Sequence, residues 1–423
     1  MLLSFVFENF KSFREEQSFS LIAKKAYKES LETNTASTNR NDVPHVLRTA
    51  AIYGSNAAGK SNLIRAIRTV QDMVVHNQIV DRRCGFLFDK QAKEEPTSFE
   101  VTLLIDDDIY VYAFSVTSEW IEEEKLTYHP NKKFARGTVL FSRMRGDDGQ
   151  YEWKFSPQLK GLKKNWSELT RPDSLFLSTA VQFNAIQLKP IFEWFKNQLV
   201  IIDDRAEWNQ IFTLEQIYSN NPNKEKIINL VKSADFGITD IKVKKENKSG
   251  PEFYFDPIRQ VVEKRENRFA EYSVEMIHKI DDDEWSLGGD SESLGTRKFF
   301  HLAGPIIDML DKKITLVVDE LDSSLHPILL KKIVELFNSA GNQSRQSQLI
   351  FTTHCDYLLE NDTQDSENPL LRRDQVWLVN KSYKAESSLY SVADFDLQKN
   401  ESIRNAYIKG FMKAVPYIEN LKV

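Results

Sequence analysis

The chain opens on an alternation. Leu3, Phe5 and Phe7 are separated by single residues, the period of a strand with one covered face. Residues 46–53 read as a strand. The period then becomes helical over 61–80, where Leu63, Ile67, Val70 and Val74 fall on one side. From about 87 to 157 alternation returns. FEVTLLI and IYVYAFSV, joined by DDD within 99–116, predict one hairpin; GTVLFSRMR and QYEWKF, joined by GDDG within 137–155, predict another. Between 206 and 284 the pattern is mixed: KEKIINLVKSA (224–234) reads as a helix, ITDIKV (238–243) as a strand and the polar KKENKSGP (244–251) as a loop. From 285 onward helix and strand alternate, with the apolar strand ITLVV, a helix at 327–340 and the strand QLIFTT. Such alternation implies a largely parallel sheet with its connections on the faces.

Composition narrows the class without deciding it. The 423 residues suffice for two or three domains, and 41% apolar with 28% charged residues is an ordinary soluble balance. A net charge of −6 excludes a polycation, so any nucleic-acid contact has to be local. The basic clusters NKKFARG (131–137), LKGLKKNW (159–166) and KVKKENK (242–248) read as solvated loops of mixed charge, with binding of nucleic acid or an acidic partner as the alternative. Two distant cysteines, Cys84 and Cys355, make neither a disulfide framework nor a metal quartet, which fits a reducing compartment. No apolar run approaches the ~20 residues of a membrane helix. The start lacks the basic and apolar regions of a signal peptide. The expected location is the cytoplasm, with no membrane partner.

The chemistry begins at AAIYGSNAAGKSNLIRAI (50–67). Gly54, Ser55, Asn56, Ala57, Ala58, Gly59, Lys60, Ser61 and Asn62 satisfy the Walker A pattern between a predicted strand and a predicted helix. Glycines let backbone N–H groups approach phosphate oxygens, and the helix presents its positive end to the anion. Lys60 is placed to reach the β- and γ-phosphates of ATP, and the Ser61 hydroxyl to join Mg²⁺. ITLVVDELDSSLHP (314–327) ends an apolar strand in Asp319 and Glu320. There Asp319 serves Mg²⁺ through a water, and Glu320 accepts the proton of the attacking water. ESLGT (292–296) opens an apolar helix before this strand, and IFTTHCD (350–356) places His354 just past another.

In this order the stretches resemble the ABC-type ATPases, in particular their SMC-like branch. The resemblance implies that Ser293 and Gly295 are signature residues capping the γ-phosphate of the opposite protomer, and that His354 is the switch histidine. It makes Gln182, in LFLSTAVQFN (175–184), the Q-loop candidate and a metal contact. Two departures stand out: Thr296 replaces the usual polar amide, and His326 stands where many such proteins carry the D-loop aspartate. ENFKSF, PTSFEV, ELDSSLHP, RRDQVWLVNK (372–381) and AYIKGFMKAVPYI (406–418) are similar to the stand-alone bacterial ATPases of RloA, AbiL and AriA type. That group is associated with defence against phage, typically beside a separate nuclease-like effector.

The resulting expectation is an α/β P-loop ATPase head of ABC/SMC type, with a β-rich antiparallel arm, a short α+β insertion and no long coiled coil. Its parts are the N-terminal half of the head (1–86), an antiparallel β-rich subdomain (87–180), a return to the head with the Q-loop (181–205), an α+β insertion (206–284) and the C-terminal half of the head (285–423). Residues 206–284 are too short and mixed for the heptad arms of a true SMC or repair protein, and the segment after His354 is too short for an appended nuclease. The expected function is ATP hydrolysis by a protein that dimerises head to head and controls a nuclease-like effector. The alternatives are an ATP-locked scaffold with little turnover, and an SMC-like DNA repair or maintenance ATPase.

Overall fold

In a computed structural model of the chain, the residues described are 1–79, 84–133, 135–203, 208–219, 221–234, 237–256, 261–339, 346–360, 369–397 and 401–415. Two compact units divide the chain. The first is Met1–Asp204, Lys312–Ser323 and Pro327–Val423; the second is Arg205–Asp311 with Ser324–His326.

The strands in chain order begin with β1 (Leu2–Glu8), β2 (Gln17–Ser20), β3 (Thr35–Ser37), β4 (His45–Leu47), β5 (Thr49–Gly54), β6 (Thr97–Ile105), β7 (Asp108–Val116), β8 (Ile121–His129) and β9 (Thr138–Arg145). They continue with β10 (Tyr151–Phe155), β11 (Leu199–Ile202), β12 (Ile238–Asp256), β13 (Val261–Ile280), β14 (Asp283–Gly288), β15 (Thr315–Val318), β16 (Gln348–Thr352), β17 (Val376–Lys381) and β18 (Ser387–Ser391). The α-helices are α1 (Leu31–Asn34), α2 (Lys60–His76), α3 (Lys163–Leu169), α4 (Phe176–Gln182), α5 (Lys189–Glu193), α6 (Trp208–Tyr218), α7 (Lys224–Lys232), α8 (Leu294–Asp311), α9 (Pro327–Asn338) and α10 (Ile403–Ile408). Among the described residues the longest helix is α8, at 18 residues, and no helix is long and apolar enough to cross a membrane.

The first unit holds two large sheets. One is antiparallel, in the order β10-β9-β8-β7-β6-β1-β2. The DDD turn joins β6 to β7 with Asp106 and Asp107 both at positive φ, and β9 pairs with β10, so both hairpins expected from alternation are present. These strands share one sheet with β1 and β2 from the start of the chain. On the covered face Phe5, Phe7, Phe99 and Phe114 pack in a row, with adjacent ring centroids 5.4–6.4 Å apart. Phe13 stands edge-on to Phe7 at 5.0 Å. At the far end a fully buried pair, Arg143 and Glu124 at 2.9 Å, ties β8 and β9 to α4. The Glu124 carboxylate accepts the N–H groups of Phe176 and Leu177, so it caps that helix start.

The other sheet runs β11-β15-β16-β5-β17-β18, parallel from β11 to β17 with β18 antiparallel at the edge. Every residue of β5, β15 and β16 is buried, which explains why their sequences are continuous apolar runs rather than alternating ones. Helix α2 lies against the first unit's core through Leu63, Ile67, Val70 and Val74, each at most 4% exposed. It ends earlier than the periodicity suggests, because Asn77 turns left-handed (φ 55°) and donates its N–H to Met73 O.

In the second unit α8 packs against α6 and α7, burying Phe299, Phe300, Leu302, Ala303 and Ile306. β12, β13 and β14 form an antiparallel sheet whose first two strands are a long hairpin. KKENKSGP, read from its polarity as a loop, is a correction: it lies inside β12, paired residue by residue with β13. The boundary between units falls after Asp311, so α8 belongs with the residues of the expected insertion. Residues 416–418 of AYIKGFMKAVPYI lie outside the described residues.

Candidate functional site

Because β11, β15, β16 and β5 are parallel, their C-terminal ends meet at one sheet edge, where open α/β sheets bind ligands. β5 ends in Gly54, β15 leads into Asp319 and Glu320, and β16, which lies between them, leads through Thr353 to His354. Residues far apart in sequence are thereby neighbours.

The loop from Gly54 to Gly59 connects β5 to α2. Ala57 holds a left-handed φ of 60° and Gly59 a φ of 123°, so the backbone departs from both strand and helix before α2 begins. Lys60, only 6% exposed, points back along the loop. Its ammonium donates to Gly54 O at 2.9 Å and Ser55 O at 3.2 Å, and lies 3.0 Å from His354 Nε2. Burial pushes the Lys60 pKa down, against the opposing pull of Asp319, Glu320 and Asp322. Burial and the Lys60 charge also push the His354 pKa down, opposed by Asp322, Glu320 and Asp319. A neutral imidazole facing an ammonium must present its lone pair, which puts the ring proton on Nδ1. Asn56 and Ala57 are exposed, Ser55, Ser61 and Asn62 half-buried, and Ala58 buried.

The acidic pair is held by a residue the motifs did not single out. Thr352 Oγ1 donates to Asp319 Oδ1 at 2.5 Å and accepts the Glu320 N–H at 2.6 Å. Glu320 is exposed and left-handed, φ 50°, a conformation unfavourable for a residue with a Cβ. The Thr352 hydroxyl and the Ser323 N–H, which donates to Glu320 O at 3.0 Å, fix it. Asp322 was also missed; it accepts the His354 N–H at 3.0 Å and so anchors the turn that carries the imidazole. The available signals were the second threonine before His354 and an aspartate two positions after Glu320, both too common to mark a site alone.

Ser293 and Gly295 lie in the second unit, at the start of α8. Ser293 is exposed, and its Oγ accepts the Thr296 N–H at 3.1 Å and lies 2.8 Å from Thr296 Oγ1. Thr296 is thus a buried member of the helix cap. Gly295 is pressed against the backbone: a Cβ there would sit 2.4 Å from Ser324 O.

Gln182 is a correction. It ends α4 and is exposed. α4 touches the far end of α2, where Ser178 Oγ donates to Val74 O and Asn77 Nδ2 donates to Thr179 Oγ1. At 1.5 Å per residue that end lies roughly 20 Å along α2 from Lys60, so the structure does not bring Gln182 to the loop. The strand beside β15 is β11, and Asp203 follows it directly. Its carboxylate holds the Arg68 guanidinium of α2 at 2.6 and 2.9 Å.

By shape the chain is similar to an SMC head crystallised with the C-winged helix domain of ScpA, at 13% identity and TM-score 0.46, covering 96% of this chain and 99% of that one. It is also similar to the Thermotoga maritima SMC head domain, at 14% identity and TM-score 0.40, with 92% and 98% covered. The Pyrococcus yayanosii Smc head domain with a coiled coil and joint gives 11% identity and TM-score 0.43, with 96% and 99% covered. Compared by sequence with curated proteins, the chain matches none. One family model matches residues 50–360, from the strand that enters the phosphate loop to just past His354 and well over half of the chain. The chain belongs to that family of P-loop ATPase domains, described as "AAA domain, putative AbiEii toxin, Type IV TA system".

Proposed function

We propose that the protein binds ATP with Mg²⁺ and hydrolyses it in composite sites formed between two copies of the chain, and that the resulting change in head geometry controls a partner effector. The observation that carries this reading is the convergence of Lys60, Asp319, Glu320 and His354 on the ends of three adjacent parallel strands. A phosphate entering the loop takes over ammonium protons now shared among two carbonyls and an imidazole. Lys60 then neutralises the β- and γ-phosphates, and the backbone N–H groups of 55–60 cradle them.

The residues present fit a Mg²⁺ ion. Among the described residues no cluster of three or more His, Cys, Asp or Glu side chains is arranged to hold a metal. Mg²⁺ suits such a place, since it binds through one or two protein oxygens together with substrate phosphates and waters. The Ser61 hydroxyl and the Asp319 carboxylate would hold it, and it would supply charge neutralisation on the phosphates. Asp319 keeps one oxygen on Thr352 and has the other for this role. Glu320, exposed beside it, takes the proton of the attacking water. His354, whose backbone N–H is held by Asp322 and whose Nε2 faces Lys60, accepts a hydrogen bond near the γ-phosphate.

Ser293, at the exposed start of α8, completes the site of a second copy, and a two-fold pair closes both sites at once. An effector of nuclease type in an anti-phage setting is the favoured partner. It is supported by the likeness of ENFKSF, ELDSSLHP and RRDQVWLVNK to RloA- and AriA-type ATPases and by the family assignment.

Glu320→Gln holds bound ATP, so sedimentation of that variant with saturating Mg-ATP tests the pairing. Association above the wild-type level is expected; a monomer at micromolar concentration contradicts composite sites. Ser293→Arg alone loses turnover while binding ATP. Mixed with Lys60→Ala subunits, it recovers activity, because each mixed pair contains one intact composite site. Co-purification of the product of the adjacent gene, and Lys60-dependent protection in a phage challenge, test the output.

A further inference from the structure

We infer that Ser387, backed by Ser12, is a positioning residue that aims the Gly59 amide at the phosphate; the inference rests on the loop being a nucleotide site. Ser387 opens β18 and Ser12 lies in the ENFKSF turn between β1 and β2, and both are 3% exposed. Their backbones are joined, with Ser387 N–H donating to Ser12 O at 2.7 Å. Ser387 Oγ lies 2.5 Å from Ala58 O and 2.8 Å from Ser12 Oγ, and Ser12 Oγ lies 2.8 Å from Asn62 Nδ2.

A hydroxyl has one proton. Ala58 O can only accept, so the Ser387 proton goes there. Ser12 must then donate across the 2.8 Å to Ser387, and it accepts in turn from Asn62 Nδ2, an NH2 group that can only donate. The contacts therefore form a relay with one direction: Asn62 to Ser12 to Ser387 to the Ala58 carbonyl.

A trans peptide is planar, with its C=O and N–H pointing opposite ways. Holding the Ala58 carbonyl toward β18 turns the Gly59 N–H away from β18, toward the face of the loop that receives the anion. Glycine on its own does not keep that orientation, because without a Cβ its flanking peptides rotate at low cost. The fit is close: at φ 123°, a Cβ on Gly59 would stand 2.7 Å from Ser387 Oγ and 3.0 Å from Ser12 Oγ. Glycine lets the two hydroxyls lie directly behind the loop, and the hydroxyls fix the peptide that glycine leaves loose. The relay also passes through Asn62 of α2, so the loop and the first turn of the helix are set together.

The test is calorimetric titration of the full chain with Mg-ATP and with ADP, alongside thermal melting. The proteins are wild type, Lys60→Ala, Ser387→Ala, Ser12→Ala and the Ser12→Ala/Ser387→Ala double variant. Ser387→Ala should weaken both nucleotides about tenfold, as for one lost buried hydrogen bond. Its turnover at saturating ATP should stay within about threefold, and its melting temperature should fall by a few degrees at most, as for one lost buried hydrogen bond. Ser12→Ala should shift binding in the same direction by less, and the double variant should bind no worse than Ser387→Ala, since both changes interrupt one relay. Wild-type affinity in Ser387→Ala, or fully additive losses in the double variant, overturns the inference. If Ser387→Ala melts earlier than that, Ser12→Ala decides: weaker binding with a melting temperature within a few degrees of wild type supports the relay, and unchanged binding overturns it. A wild type that binds neither nucleotide overturns the reading of the loop as a nucleotide site, a result distinct from wild-type binding that is indifferent to Ser387.

Discussion

Replacing Thr352 by Val keeps the shape of a fully buried side chain and deletes a hydroxyl that makes two bonds. One is charge-assisted, to Asp319 Oδ1 at 2.5 Å, and one receives the Glu320 N–H at 2.6 Å. Bonds to charged groups contribute ~1.5–3 kcal/mol and neutral ones ~1 kcal/mol. Asp319 is half-buried, so water recovers part of the first. A net loss of about 2–3 kcal/mol follows, which for the larger unit lowers Tm by roughly 5 °C. The functional effect should be larger, because the hydroxyl also holds Glu320 in its left-handed conformation. With that restraint gone the carboxylate leaves its place, and kcat for ATP should fall about tenfold or more, part of the roughly hundredfold or greater contribution of a positioned general base. The Kd for ATP should change by less than about threefold, since the loop after β5 is untouched and no hydrogen bond to phosphate is lost. Thr352→Ser restores the hydroxyl and should restore both properties. Melting curves and phosphate release under saturating Mg-ATP are the assays. Thr352→Val with wild-type Tm and wild-type kcat would refute the bracing role. A lowered Tm with unchanged kcat would make the hydroxyl structural only.

Two further outcomes are expected. His301 is pushed down to about 4 by burial and by the Arg297 charge. Between that value and the ordinary 6.5 the unfolded chain binds the extra proton. Its contribution, up to ~3 kcal/mol, is therefore fully present above pH 6.5 and lost as pH falls toward 4. Urea titrations from pH 7.5 to 4.5 should show that slope reduced by one proton in His301→Gln; an unchanged slope contradicts it. Gly295→Ala sets a Cβ against Ser324 O, where 2.4 Å is available, and should abolish ATP-induced association in the Glu320→Gln background while leaving ATP affinity intact. Sedimentation and titration check both halves.

What the sequence revealed follows a physical line. The loop at 54–61 and the strands β5, β15 and β16 were legible because their signals are local: a fixed spacing of Gly, Lys and Ser, and apolar runs buried on both faces. Both antiparallel hairpins were legible because one face is covered and the turns are acidic or glycine-bearing. KKENKSGP was not, since β12 and β13 form a long ribbon and Lys244 to Lys248 meet Glu275 and Glu271 across it rather than a core. A strand without a covered face has no apolar period to detect. Gln182 was misplaced because order along the chain does not say which element adjoins β15; that neighbour is β11, whose following Asp203 is committed to Arg68. Thr352, Asp322, Ser12 and Ser387 were invisible because each acts through a partner that only the fold brings near, as Ser387 does with Ala58 across more than three hundred residues.

The central claim is that the edge shared by β5, β16 and β15 is a hydrolytic nucleotide site, and phosphate release tests it most directly. Purified wild type, Lys60→Ala and Glu320→Gln are compared with ATP in the presence and absence of Mg²⁺, with ATP affinity measured in parallel. The account predicts Mg²⁺-dependent release by wild type alone, lost affinity in Lys60→Ala, and retained affinity with release slowed at least a hundredfold in Glu320→Gln, as for loss of a general base. Equal release by wild type and Glu320→Gln would contradict it.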